Sequence, residues 1–217
     1  YLKPGEAMDS SEAAFQSSSF AYFSQQMRHF YVAVDRIQFR METLVDLLGV
    51  AGRCRPGVPI VICCCSRDEL DSVCSAVADL PYVSLSCLHS DLSEKDRLLV
   101  LERFREATMT WNQTDNTPLD VDEDHGVIEA KSHLIVVTDT CLPPVSPAEI
   151  PMSSRVLINY ELPPKKDTYT RRVSSCLAQD GTVITMVVGG EVGTFKSVEE
   201  SMGLVITEMP INIAEIL

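Results

Sequence analysis

The sequence predicts an α/β fold, in which a mainly parallel sheet carries helices on both faces. Apolar segments rich in β-branched residues alternate with amphipathic segments along the whole chain, which is typical of such folds. The segment 58–65 (VPIVICCC) is apolar at nearly every position, as expected for a strand covered on both faces. The chain has 217 residues, of which 45% are hydrophobic, enough for a substantial core.

Each element follows from local periodicity and from start and stop signals. We expect Asp35, Ser66 and Ser93 to cap helices, because each places a side-chain oxygen before an amphipathic segment, and Asp96 completes a weak capping box. The predicted strands are 29–34, 58–65, 82–89, 133–139, 155–161 and 182–188. The predicted helices are 35–50, 67–80, 93–107, 166–178 and 191–203.

Three segments stand outside this alternation. Residues 1–27 are rich in Ser, Ala and Gln, and we interpret them as a linker or N-terminal extension of a domain that spans 28–217. Residues 108–131 contain six acidic side chains and one lysine, which predicts a long acidic loop. Residues 140–154 contain four prolines, which exclude a helix or a central strand there.

Charge and cysteine content narrow the function classes. The net charge of −13 argues against a protein whose main task is to bind phosphate backbones or anionic membranes. The eight cysteines form no CxxC pair, and Cys63 and Cys64 would point to opposite faces of a strand, so no metal site is expected. Reduced thiols in a nuclear or cytoplasmic protein are the simplest interpretation.

Several segments, taken in order, carry a family resemblance. They are HFYVAVDRIQFRMETLVDLL (29–48), VICCCSRDELDSV (61–73), HSDLSEKDRLLVLERFR (89–105), RVLINYELP (155–163) and EMPINIAEIL (208–217). Together they resemble the C-terminal RecA-like domain of DEAD-box RNA helicases, and most of all its translation-initiation branch. The resemblance covers residues 28–217 and implies a three-layer RecA-like domain.

That family hydrolyses ATP between two RecA-like domains, and the first domain supplies the P-loop, the magnesium site and the Asp-Glu-Ala-Asp box. This chain contains no GxxxxGK[ST] sequence. The resemblance therefore implies that the chain alone holds no cofactor. ATP and magnesium would be bound only if an upstream RecA-like domain is intact.

The family's second domain supplies arginine fingers from the motif His-Arg-x-Gly-Arg-x-x-Arg. Here Arg171 replaces the His and Arg172 keeps the first Arg, while Ser174 and Ser175 replace the Gly and the second Arg. A neutral serine cannot stabilise developing phosphate charge as a guanidinium does. Arg171 and Arg172 are thus candidates for residual nucleotide contact, or else they form a solvated or salt-bridged helix face.

The fifth motif is altered in the same way. Thr138 and Asp139 are kept, but Pro143 and Pro144 stand where the family has Arg-Gly, and proline has no backbone N–H for an anion. The resemblance implies RNA contact for Thr138 and nucleotide contact for Asp139. The alternative is structural, since an Asp at a strand end often binds neighbouring backbone amides.

Other motif positions are partly retained. Ser66 and Arg67 resemble the phosphate-contacting pair of the fourth motif and are candidates for RNA contact. His89, Asp91 and Arg97 are remnants of positions that serve the family as structural support, and Arg97 is expected to pair with Asp91 or with Glu94.

The main hypothesis is a degenerate helicase domain without arginine fingers, which serves as a non-catalytic scaffold or protein-interaction module in RNA metabolism. Protein partners are expected, and an oligomeric state is not predicted. The alternative is the second domain of a divergent but active ATP-dependent RNA helicase. A third hypothesis is weak, salt-sensitive RNA binding without catalysis through Arg67 and neighbouring amides.

Overall fold

A computed structural model of the chain describes residues 26–115, 130–144 and 151–217. Its strands are β1 (Arg28–Val34), β2 (Ile60–Cys64), β3 (Val83–Leu88), β4 (Ser132–Thr138), β5 (Ser154–Asn159), β6 (Leu177–Val188) and β7 (Thr207–Glu208). They form a single sheet in the order β3-β4-β2-β5-β6-β1-β7, and every recorded pairing is parallel. The predicted parallel α/β fold is confirmed.

Helices cover both faces of this sheet. They are α1 (Arg40–Cys54), α2 (Arg67–Val77), α3 (Glu94–Asp115), α4 (Lys166–Cys176) and α5 (Val192–Met202). The crossovers that carry α1 and α2 run toward β3, whereas those that carry α3, α4 and α5 run the opposite way. Because parallel crossovers are right-handed, opposite directions place helices on opposite faces, which produces three layers.

Two hydrophobic cores result, one under each helical layer. Strand β2 shows the division, because Ile60, Ile62 and Cys64 belong to the core beneath α1 and α2, while Val61 and Cys63 belong to the other. All five side chains are buried, as the continuous apolar segment predicted. The two cysteines do point to opposite faces of the sheet.

Several predicted boundaries were wrong. Asp35 caps no helix, because a 3-10 turn over Ile37–Phe39 precedes α1, whose N-cap is Phe39 without a side-chain hydrogen bond. Strand β6 begins at Leu177 rather than at 182, so α4 ends two residues earlier than predicted. A bidentate ion pair between Arg155 on β5 and Asp180 holds this added part of β6 next to β5.

The acidic loop was also predicted too long, because α3 continues to Asp115. Trp111 fastens this extension: its Nε1 donates to Pro56 O at 3.2 Å, and the Arg55 guanidinium lies 4.8 Å from its ring centroid. A contact so distant in sequence has no local signal. Residues 116–129 of the predicted acidic loop, residues 145–150 of the proline-rich loop and residues 1–25 of the extension lie outside the described residues.

The sequence predicted reduced thiols, which is wrong for one pair of cysteines. Cys74 on α2 and Cys87 on β3 are joined in a disulfide, and the other six cysteines are free. No described helix is long and apolar enough to span a membrane.

Candidate functional site

The carboxyl ends of β2, β4 and β5 lie side by side at the centre of the sheet, with Cys64 beside Thr138 and Cys63 beside Asn159. Parallel α/β folds place their sites at this edge. Helix α4 crosses it and directs Arg172 into the space between the three strand ends. The edge thus collects residues that are far apart in the chain.

Arg172 is fully buried and uses its whole donor set inside the protein. Its Nε and Nη2 donate to the two carboxylate oxygens of Asp139 at 2.6 and 2.8 Å. Its Nη1 donates to Asn159 Oδ1 at 3.1 Å and to Glu161 O at 2.7 Å, and its Nη2 also donates to Cys65 Sγ at 3.2 Å. A guanidinium has five N–H groups, and all five are occupied here.

Electrostatics keep this arginine charged. Burial opposes the charged form most strongly, but the hydrogen-bonded carboxylate of Asp139 and the other groups around the guanidinium act the opposite way, and the net effect raises the pKa of Arg172 above its ordinary value. Burial also raises the pKa of the neighbouring Cys65 thiol to about 11, although Arg172 acts in the opposite direction. The centre of the site is therefore an internal ion pair beside a protonated thiol.

Two other motif positions on α4, 171 and 175, differ from Arg172 in their surroundings. Arg171 is exposed and lines a shallow hollow with Pro144, Asp167, Thr170 and Ser174. Ser175 is only 2% exposed, and its Oγ donates to Pro143 O at 3.0 Å. Position 175 therefore faces the protein interior, while position 171 faces the solvent.

Ser66 and Arg67 lie at the start of α2. Ser66 Oγ accepts from Glu69 N at 3.3 Å, which confirms the predicted N-cap, and Ser66 N donates to Glu161 Oε2 at 3.1 Å. Glu161 also accepts from Cys65 N, so a carboxylate of the chain itself occupies the amides at this helix end.

The Arg67 side chain makes two ion pairs, with Asp71 at 2.9 Å and with Asp91 at 2.7 Å. Hydrogen bonds to Asp71 and then to Asp91 raise the pKa of Arg67. Its positive charge is thus compensated by two carboxylates at the surface.

The remaining candidates make separate local contacts. Thr138 is 5% exposed, and its Oγ1 lies 3.3 Å from Thr140 Oγ1 at the end of β4. His89 Nδ1 accepts from Asp91 N at 3.3 Å, and Arg97 pairs with Glu94 at 3.8 Å, one of the two partners expected. Asp139 pairs with Arg172 through both carboxylate oxygens, a contact with a side chain rather than the backbone-amide contact that the structural alternative supposed.

Two members of the site escaped the sequence analysis, namely Asn159 and Glu161. Asn159 is a fully buried amide that follows three apolar residues in β5, and its Nδ2 donates to Thr185 Oγ1 at 3.0 Å. A polar residue inside a buried strand is a usable signal of a hydrogen-bond network. Among the described residues no group of three or more His, Cys, Asp or Glu could hold a metal.

No family model matches the chain. Curated relatives include eukaryotic initiation factor 4A of Cryptosporidium parvum, 24% identical over 193 residues, which are 88% of this chain and 40% of that protein. The ATP-dependent RNA helicase FAL1 of Yarrowia lipolytica is 21% identical over 193 residues, which are 88% of this chain and 41% of that protein. The chain thus spans about two fifths of the length of these relatives.

Solved structures agree on the fold. The C-terminal domain of the DEAD-box protein Dbp5 superposes with a TM-score of 0.64 at 16% identity, covering 88% of this chain and 96% of that one. The DEAD-box protein SrmB of E. coli, in its complex with regulator of ribonuclease activity A, gives 0.63 at 16% identity, covering 87% and 93%. The homologues of this chain are therefore DEAD-box RNA helicases, and its fold is that of their C-terminal RecA-like domains.

Proposed function

Starting from this homology, we propose that the chain is a degenerate helicase C-terminal domain that lacks arginine fingers and acts as a non-catalytic scaffold or protein-interaction module in RNA metabolism. The observation that carries the proposal is the state of Arg172. It is fully buried, and its five N–H groups are used by Asp139, Asn159, Glu161 and Cys65. An arginine finger must instead present its N–H groups to a phosphoryl group.

Moving Arg172 toward a phosphate would be costly. Both charge-assisted hydrogen bonds to Asp139 would break, and the Asp139 side chain, only 23% exposed, would lose its partner. Removing one member of a buried ion pair costs about 3–5 kcal/mol. A bound phosphate would have to offset this cost before it stabilised any transition state.

The adjacent positions support the same proposal. Ser175, at the position of the family's second arginine, points inward to Pro143 O, so even an arginine there would start from the protein interior. Pro143 and Pro144 offer no N–H group to a nucleotide.

RNA contact through the fourth motif is weakened by internal partners. Asp71 and Asp91 hold Arg67, and Glu161 occupies the amides of Cys65 and Ser66. An RNA phosphate would have to displace carboxylates from both sets of donors. Residual RNA binding is therefore proposed to be weak and sensitive to salt.

A protein partner is part of the proposal. The related SrmB structure contains regulator of ribonuclease activity A, and a Dbp5 structure contains Gle1. By analogy we propose that this domain also binds a protein and works inside the cell, in the nucleus or the cytoplasm.

Arg171 supports a second candidate function, a divergent but active ATP-dependent helicase. Its side chain is exposed beside Pro144, where it could reach a nucleotide held by an upstream RecA-like domain. In that case ATP and magnesium would be cofactors of the whole protein.

ATP turnover of the complete protein, with and without single-stranded RNA, separates the two functions. The matched variant is Arg171→Gln, because this exposed side chain has no resolved structural role and the substitution should leave the melting temperature unchanged. The scaffold proposal expects no RNA-stimulated turnover in either protein. Robust RNA-stimulated turnover that Arg171→Gln abolishes would establish the active helicase instead.

A further inference from the structure

A covalent bond joins helix α2 to strand β3. Cys74 of α2 and Cys87 of β3 form a disulfide, and the two residues are 13 positions apart in the chain. Both side chains are half-buried at the rim of the core beneath α1 and α2, so small molecules in solution can reach the bond. The fold therefore pairs two of its eight cysteines, and it pairs them where solvent has access.

The buried thiols of the domain differ from this pair in reactivity. Cys63, Cys64 and Cys176 are fully buried. Burial raises the pKa of Cys64 and that of Cys176 well above the ordinary value of a thiol. The thiolate is the form that attacks a disulfide or is oxidised. Thiol–disulfide chemistry near neutral pH is therefore directed to Cys74 and Cys87 rather than to the buried cysteines.

A permanent disulfide is not what this fold requires. The sheet has a hydrophobic core on each face, whereas permanent disulfides are typical of small secreted domains that cannot build such a core. Inside the cell most thiols are kept reduced, and a disulfide that forms there is usually transient and often redox-sensing. This step rests on the intracellular part of the proposed function. The surroundings of the bond thus favour one that opens and closes.

The bond holds a strand at the edge of the sheet. Among the described strands β3 pairs with β4 alone, so its other edge is open. A second link between α2 and this part of the chain is the ion pair of Arg67 with Asp91, whose Nη1 and Oδ2 atoms lie 2.7 Å apart. Both side chains are exposed, and exposed ion pairs stabilise a fold only slightly. Reduction of the disulfide would leave this weak pair and the apolar packing of α2 to hold the edge.

We propose that Cys74 and Cys87 form a redox switch, which fastens α2 to β3 when oxidised and loosens this edge of the domain when reduced. The reductant is a low-molecular-weight thiol of the glutathione class. One glutathione thiolate attacks a sulfur of the bond and forms a mixed disulfide, and a second attacks the glutathione sulfur and releases the cysteine. The products are two cysteine thiols and one oxidised glutathione, so two electrons and two protons pass to the protein. Oxidised glutathione reverses both steps.

The switch acts on the segment that carries the fourth motif. Ser66 caps α2, Arg67 is its first residue, and Asp91, the partner of Arg67, follows β3. In the oxidised state the two partners belong to elements that are joined covalently, so Arg67 stays beside Asp91. In the reduced state local opening of β3 separates them more often. The redox state thus regulates how often Arg67 is released from Asp91.

A glutathione titration tests whether the bond is reversible. The full chain is equilibrated with mixtures of reduced and oxidised glutathione, free thiols are blocked with N-ethylmaleimide, and mass spectrometry quantifies the disulfide between Cys74 and Cys87. The oxidised fraction should rise from nearly none to nearly all in one transition, and the same curve should be reached from either starting state. A pair that stays oxidised in reduced glutathione alone, or that never oxidises, would overturn the proposal.

Hydrogen exchange tests what the switch does to the fold. The backbone amides of β3 should exchange at least about tenfold faster in the reduced wild type than in the oxidised wild type, whereas those of β5, at the centre of the sheet, should not change. Cys87→Ser should exchange at the faster rate in both states of the buffer. Cys54→Ser, which removes an exposed thiol at the end of α1, is the control and should keep the wild-type response. Equal exchange of β3 in the oxidised and reduced wild type would overturn the switch, and because neither experiment involves ATP turnover, that failure is distinct from a failure of the proposed function.

Discussion

The substitution Asp139→Asn tests whether Arg172 is locked inside the protein. It keeps the side-chain shape but removes the charge that faces a guanidinium with 0% exposure. Two charge-assisted hydrogen bonds are affected, and charged bonds contribute about 1.5–3 kcal/mol each. Because Asp139 is 23% exposed, water screens part of this effect, and we expect a loss of about 3 kcal/mol. In a domain of this size that lowers the melting temperature by about 6–12 °C.

The assay is urea unfolding followed by circular dichroism, within a double-mutant cycle that adds Arg172→Met. Methionine removes the buried charge, so the double variant should be more stable than the sum of the two single losses implies. Asp180→Asn is the matched control, since the Arg155–Asp180 pair is bidentate but its carboxylate is 68% exposed, and it should cost less than about 1 kcal/mol. A loss for Asp139→Asn no larger than for this control would refute the lock and leave Arg172 available to a phosphate.

Three further predictions concern other parts of the domain. Trp111→Phe removes the hydrogen bond to Pro56 O and weakens the contact with Arg55, so urea unfolding should show a loss of about 1–2 kcal/mol. The hydrogen bonds from Arg155 lower the pKa of Asp180, so the ionised Asp180 should stabilise the fold above pH ~4 and cease to do so as the pH falls further. If the wild type still had a higher free energy of unfolding than Asp180→Asn at pH 2, the result would contradict this. The pKa of Cys65 is raised to about 11, so the fraction of reactive thiolate is small at neutral pH. The rate of Cys65 alkylation by iodoacetamide, measured by mass spectrometry, should therefore increase about tenfold per pH unit between pH 7 and 10. A rate that levels off near pH 8 would contradict this prediction.

The regular elements could be predicted because their signals are local. The apolar segment of β2 has side chains that are buried on both faces, and Ser66 caps α2 through a residue three positions away. The C-terminal end of α3 and the start of β6 could not be predicted. Trp111 fixes the first by its contact with Pro56, and Asp180 fixes the second by its ion pair with Arg155, and both partners lie far away in the sequence.

For the candidate site too, the sequence predicted the residues but not their contacts. The resemblance to the helicase motifs singled out Arg172 and Asp139, and it also identified Ser175 as a departure from the family pattern. That Arg172 and Asp139 bind each other across 33 positions depends on the strand order, which brings the ends of β4 and β5 beside β2 under α4. The sequence by itself determined the centres of six strands and five helices, because periodicity and capping act over a few residues, and its motifs showed which family positions changed. Only the tertiary structure decided that Arg172 donates inward, because the partners of a long side chain are set by packing between distant segments.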